Sequence, residues 1–246
     1  LAAVGLPQLL DGPGTSGRDG LVAGQGREAA APFAERRPTY AVDDTIHSGD
    51  TSIDVGVTIG SFVQTDDGFV YATDDGRIHL ADGESTEEIG RTSPDGLYLK
   101  ADDSGSLVTW MEFVKGQTPD LVVFDTAERQ EVARTDEGTG PAMQAYRDTD
   151  AAYVYAVDDG TVYWRNADGV MALEVANGTS ELLLAGAGAF DISDVANGHF
   201  AHVLREVDGE DTPIRVSTDL SRPSRPLRSG WEGYLSPGAR YISTDQ

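Results

Sequence analysis

The chain has 246 residues, 39% of them apolar, 24% charged and 8% aromatic, and no cysteine, so one large or two small domains can bury roughly 70–75% of the unfolded surface without a disulfide or metal staple. Its 18 basic residues against 42 acidic ones leave a net charge of −24, which repels phosphate backbones and anionic lipid and excludes nucleic acid as a default partner. The missing thiols exclude every cysteine nucleophile and every cysteine-ligated metal.

Residues 1–10 are apolar except for Gln8. Ten residues make half a membrane span, and Pro7 interrupts them. This stretch is read as the remnant of a signal or membrane anchor, and any membrane attachment is expected only through such an N-terminal anchor, mostly missing here. Residues 11–39 are rich in Gly, Ala and Pro with no helical or strand period, the composition of a flexible tether. Residues 40–246 are the expected folded domain.

From Tyr40 onward the apolar residues come in runs of four to eight, often alternating, and no window predicts a helix. Two strand candidates, Tyr40 to His47 and Ser52 to Ile59, come first. Then follow Phe69–Thr73, Ile78–Asp82 and Thr86–Gly90, then Leu107–Met111, Leu121–Asp125 and Gln130–Thr135. Gln144–Arg147 stands apart before Tyr153–Val157, Thr161–Arg165, Met171–Val175 and Ser180–Leu184, and Phe200–Leu204, Ile214–Asp219 and Arg240–Thr244 close the chain. The turns between them are Asp67-Gly68, Asp75-Gly76, Asp82-Gly83, Asp159-Gly160, Asp168-Gly169, Asn177-Gly178, Asn197-Gly198 and Asp208-Gly209. These pairs tolerate the positive φ that tight hairpins demand.

Stacking Phe69–Thr73, Leu107–Met111, Tyr153–Val157, Phe200–Leu204 and Arg240–Thr244 gives a period of roughly 40 residues, the length of one four-stranded propeller blade. Within this pattern Leu235-Ser-Pro-Gly-Ala-Arg-Tyr-Ile-Ser243 resembles the Ser-Pro-Asp-Gly-basic motif of TolB-like propeller repeats, and Ser93-Pro-Asp-Gly96 matches its turn. The strand ending Val-Phe-Asp125 is similar to the ending of Trp-Asp repeats. Gly238 replaces the motif Asp, no basic residue follows Gly96, and no Trp-Asp pair exists. The resemblance covers about residues 40–246 and implies an all-β fold, a β-propeller of four-stranded antiparallel blades. The order of anchor, stalk and Asp-Gly-rich repeats is similar to surface-anchored propellers of high-GC Gram-positive bacteria.

Four units and part of a fifth are countable. Two closures are open: a five-bladed ring, in which the strands of residues 40–59 complete the last blade, or a fragment of a larger ring.

The search for chemistry yields no catalytic residue, no metal ligand and no cofactor. His199 and His202 stand three apart on a strand and point to opposite faces. The stretch Ala101–Trp110 lacks the hydroxyl and the Trp spacing of a sugar-cleaving propeller box. The Asp-Asp-Gly turns at Asp66, Asp74 and Asp158, with Asp102-Asp103 beside Gly105, invite calcium, but hairpin chemistry alone asks for Asp before Gly. Trp110, Trp164, Trp231, Tyr71, Tyr153, Tyr155 and Tyr163 are expected to fill the space between sheets. The ligand-binding residues stay unknown at this level. These observations favour a non-enzymatic extracellular or cell-surface binding or scaffold module for a protein or glycan ligand, with an extracellular hydrolase, glycosidase-like or the propeller part of a peptidase, as the alternative.

Overall fold

The computed structural model describes residues 2–5, 33, 35, 37–92, 99–102, 105–113, 118–139, 152–186, 190–204, 213–222, 226–228, 233–236 and 239–244. Their regular elements are strands. Strand β1 is Ala2–Gly5; β2, Thr39–Val42; β3, Thr45–Ser48; and β4, Thr51–Asp54. Next come β5, Ile59–Gln64; β6, Phe69–Thr73; β7, Arg77–Ala81; β8, Thr86–Arg91; β9, Lys100–Ala101; β10, Leu107–Glu112; β11, Asp120–Asp125; and β12, Gln130–Thr135. The second half holds β13, Tyr153–Asp158; β14, Thr161–Arg165; β15, Gly169–Glu174; β16, Thr179–Ala185; β17, Phe190–Ala196; β18, His199–Leu204; β19, Ile214–Ser217; β20, Pro226–Arg228; β21, Gly233–Leu235; and β22, Tyr241–Thr244.

They form antiparallel sheets in chain order. Sheet I is β2-β3-β4, and sheets II to V are the four-stranded meanders β5–β8, β9–β12, β13–β16 and β17–β20. Sheet VI has the order β21-β22-β1. The expected turns are hairpins: Asp159 and Gly160 have φ of 46° and 75°, and Asn197 and Gly198 have φ of 49° and 69°, the left-handed pair that a two-residue turn needs. Asp208-Gly209, Gln144–Arg147, Ser93–Gly96 and Trp231 lie outside the described residues.

Two expectations are corrected. Tyr153–Val157 was stacked with the second strands, yet β13 is the first strand of sheet IV and Thr161–Arg165 is its second. The interval between units stretches there because residues 136–152 intervene between β12 and β13. The strands of residues 40–59 do not complete the last unit either: Tyr40 to His47 is a hairpin turning at Asp43 (φ 54°), Thr51–Asp54 joins it as sheet I, and Ile59 opens sheet II. The strand that pairs with β22 is β1, with Ala2 opposite Thr244 and Gly5 opposite Tyr241.

A repeat invisible as a sequence motif marks each four-stranded sheet. The fourth strand carries one extra residue against the third, at Ile89, Val132, Leu183 and Leu227. A bulge of this kind bends the strand and deepens its right-handed twist.

Packing explains why the inner strands read as continuous apolar runs. In β6 all five residues are buried, and alternation sends them to opposite faces. Phe69 and Tyr71 pack toward Ile46 of sheet I, while Val70 and Ala72 pack toward Val108, Trp110 and Val122 of sheet III. The same division recurs along the chain. Leu121 and Val123 of sheet III meet Val162 and Trp164 of sheet IV, Tyr155 and Val170 meet Ile192 and Phe200 of sheet V, and Ala201 and Ile214 meet Leu235 and Ile242 of sheet VI. Each consecutive pair of sheets therefore shares its own core. At ~25 cal/mol per Å² of apolar area, Trp110 and Trp164, both essentially inaccessible, contribute several kcal/mol each. Gly90 of sheet II makes room for Trp110, because a Cβ there would stand 2.5 Å from its Cζ2.

Polar contacts tie the same neighbours. Asp67 Oδ2 accepts hydrogen bonds from Ser106 Oγ at 2.6 Å and Thr126 Oγ1 at 3.2 Å, joining sheets II and III. Asn166 Nδ2 donates to the Glu137 carbonyl at 3.0 Å, joining IV to III. The Asp158 carboxylate accepts from the backbone N–H groups of Asn197 and Gly198, both at 2.8 Å, joining IV to V. Asp194 Oδ2 accepts from Leu235 N at 2.7 Å, joining V to VI.

Candidate functional site

Tight contact between neighbouring sheets is relieved between the outer strands of sheets IV and V, where a cleft of about 530 Å³ opens. One wall is a face of sheet IV, and strand register arranges it in two rows: Thr161 opposite Glu174 opposite Thr179, and Tyr163 opposite Ala172 opposite Glu181. Ala172 is the small member of the second row, and the space over it is the space that a longer side chain would fill. Leu183, the bulged residue of β16, also lines this wall. The opposite wall comes from Gly198 and Phe200 at the start of β18 and from Thr218, Asp219 and Leu220 just after β19.

Neighbouring aromatics on β14 separate by alternation. Trp164 turns to the core shared with sheet III, whereas Tyr163 faces sheet V and the cleft. The Tyr163 ring stands edge-on to Phe200, with centroids 5.3 Å apart and planes at 90°, a preferred aromatic geometry. Burial raises the Tyr163 phenol above its ordinary value, and the Asp158 charge adds to this.

Glu174, Glu181 and Asp219 are the carboxylates of the lining, which among the described residues holds no lysine or arginine. Glu174 accepts a hydrogen bond from Asn177 Nδ2 at 2.7 Å. Asp219 accepts from Ser221 Oγ and Ser221 N and pairs with Arg222 Nε at 2.9 Å, and its carboxyl is held below its ordinary value first by the Ser221 hydroxyl. Among the described residues no ion pair reaches Glu181.

The other residues singled out in the sequence lie elsewhere. Tyr71 and Tyr155 are buried between sheets, as expected of blade aromatics, and Tyr153 packs against the core of sheets IV and V. His47 stacks on Tyr40 at 4.8 Å and His79 on Tyr71 at 5.2 Å. His202 is buried, which pushes its pKa down, while His199 sits at the strand start with Nδ1 2.9 Å from the Asn197 carbonyl. The carboxylates of the Asp-Asp-Gly turns bond to the chain itself: Asp67 and Asp158 as above, and Asp75 with Thr73 and Arg77. Among the described residues no group of three or more His, Asp or Glu side chains is placed to hold a metal ion. Nor is any helix long and apolar enough to cross a membrane.

No family model matches the sequence, and no curated protein matches it. Solved structures do. TolB from Acinetobacter baumannii superposes with a TM-score of 0.51 at 14% identity, over 80% of this chain and 52% of that one. A chain of the mitotic checkpoint complex superposes with a TM-score of 0.50 at 13% identity, over 82% of this chain and 64% of that one. Both are β-propellers. The fold of this chain is a β-propeller, similar to that of TolB. Its sheets II to V are propeller blades, and the chain spans about half to two thirds of the length of the propellers that it resembles. The cleft lies between blades IV and V, a place where a propeller is usually filled with side chains.

Proposed function

We propose that this propeller is a non-enzymatic binding or scaffold module of the extracellular space or cell surface, and that it takes a protein or glycan ligand in the cleft between blades IV and V. The observation that carries the reading is the cleft itself: about 530 Å³ falls within the range of small-ligand sites, roughly 300–1,000 Å³, and it pairs an aromatic floor with a few polar groups, as such sites do. An extracellular setting is supported by the strongly acidic composition, which suits the solvated surface of a secreted protein.

The test is a titration of the labelled protein with a panel of short peptides and neutral oligosaccharides, followed by NMR at Tyr163, Ala172, Leu183 and Phe200. A saturable response at these residues, lost in Ala172→Phe while the melting temperature is kept, is the expected result. Conversion of a panel member to product, or saturable binding confined to other surfaces, contradicts the reading.

A further inference from the structure

We infer that the cleft between blades IV and V recognises a basic peptide segment, with one lysine or arginine side chain seated over Tyr163 and against Glu181. The inference rests on the binding reading above and names the ligand class of the same site.

Three features of the cleft point to that occupant. Charge comes first: among the described residues its lining carries Glu174, Glu181 and Asp219 and no cationic residue, so an anionic ligand meets repulsion and a cation meets attraction. The three carboxylates are not equivalent. Glu174 accepts from the neutral Asn177 amide, and Asp219 is balanced by Arg222 on the rim, which leaves Glu181 as the carboxylate of the lining with neither a hydrogen-bond donor nor a counter-ion among the described residues. An incoming ammonium or guanidinium supplies that counter-ion.

The second feature is the aromatic wall. Tyr163 is half-buried and braced by Phe200, and a cation within about 6 Å of an aromatic face is attracted by the ring quadrupole. Register puts Tyr163 and Glu181 in one cross-strand row with only Ala172 between them. A cation seated above the Ala172 methyl therefore meets the ring on one side and the carboxylate on the other.

Shape is the third feature. The cleft is bounded by Leu183 of β16 on one wall and the Gly198 turn on the other, so an extended segment can lie across it and lower one side chain in. The aliphatic stem of lysine or arginine suits the apolar contacts of Ala172, Leu183 and Leu220 while its head stays polar. The field of a protein with a net charge of −24 speeds the encounter with any basic partner, and salt weakens that steering.

The experiment is an NMR titration of the whole chain with three eight-residue peptides alternating glycine with lysine, glutamine or glutamate, run on the wild type, Glu181→Gln and Ala172→Phe. Glu181 is exposed, so its conversion to glutamine is expected to leave the melting temperature unchanged. The expected result is a saturable response of Tyr163, Ala172 and Leu183 to the lysine peptide alone, weakened about five- to tenfold in Glu181→Gln, which corresponds to roughly 1–1.4 kcal/mol, and abolished in Ala172→Phe. An equal cleft response to the glutamine peptide overturns the cationic assignment and leaves the binding reading standing. A lysine-peptide response spread over the acidic surface and unchanged in Glu181→Gln also overturns it. If no peptide and no neutral oligosaccharide perturbs the cleft, the binding reading fails together with it.

Discussion

Asp67 tests whether the aspartates of the hairpin turns join blades or hold ions. It lies in the β5–β6 turn of blade II, and its Oδ2 accepts from Ser106 Oγ at 2.6 Å and from Thr126 Oγ1 at 3.2 Å in blade III. Thr126 is buried at 2% exposure and its Oγ1 also lies 3.0 Å from Thr65 Oγ1 and 2.9 Å from the Ser106 carbonyl. Its one proton therefore keeps an acceptor when Asp67 is removed, and the loss falls on Ser106. A hydrogen bond to a charged group is worth about 1.5–3 kcal/mol, and partial exposure of Asp67 points to the low end, about 1.5–2 kcal/mol. For a chain of this size that lowers the melting temperature of Asp67→Ala by about 3–8 °C. Asp67→Asn keeps an acceptor oxygen and is expected to lose about half as much. Calorimetry in EDTA and again in millimolar calcium decides between the roles, because an ion at 100 times its dissociation constant adds about 2.7 kcal/mol. The expected melts of each protein superimpose in the two buffers. Wild-type stability in Asp67→Ala, or a deficit that exists only in calcium, refutes the reasoning.

Other perturbations probe different parts of the structure. Trp110→Ala empties the core between blades II and III and is expected to cost about 3–5 kcal/mol, or about 6–20 °C in melting temperature, by the same calorimetry. Gly169 has a φ of 149°, and a Cβ there collides with the Leu184 carbonyl, so Gly169→Ala is expected to lose at least about 2 kcal/mol in urea denaturation. Asp82 is held well below the carboxylate range, first by Arg129, whose Nη1 stands 2.8 Å away, and by the backbone N–H groups of Ser85 and Glu84. Its folded pKa lies below its unfolded one, so its contribution is present above the unfolded value of ~4 and is lost as pH falls below it. Urea titrations at neutral pH and in acid are expected to show a wild-type advantage over Asp82→Asn that shrinks on acidification.

The blades were legible because their middle strands announce themselves. Phe69–Thr73 and Leu121–Asp125 are apolar on both faces, as a strand packed between two sheets must be, and Asp67-Gly68 and Asp75-Gly76 mark the ends of the first. First strands were harder to see: Ile59–Gln64 and Phe190–Ala196 mix apolar residues with Gly, Ser and Asp, and Lys100–Ala101 is two residues long. Without them the third unit is ambiguous in the sequence, since Tyr153–Asp158 is the one first strand as apolar as a second, although Tyr153–Val157 to Ser180–Leu184 already count as the four strands of sheet IV. The bulges at Ile89, Val132, Leu183 and Leu227 recur in space but not as a residue pattern, so no motif revealed them. The cleft was hidden for a similar reason. Tyr163 and Trp164 are adjacent, and only the facing of blade IV decides which is core and which lines a site. Ala172 and Glu181 become neighbours through register alone. A signal was present in Ala172 and Glu174 of β15, small and polar where the third strands of blades II and III carry Ile78 and Leu80, and Leu121 and Val123.

The central claim is that consecutive blades pack face to face in chain order. Methyl-labelled NMR tests it most directly. The account predicts cross-peaks joining the methyls of Val70 and Val122, of Val123 and Val162, of Val170 and Ile192, and of Val203 and Ile242, each set belonging to one inter-blade core. Cross-peaks linking Val70 or Val122 to Val170 or Ile214, with none between blades II and III, would mean two sheets layered as a sandwich and would contradict it.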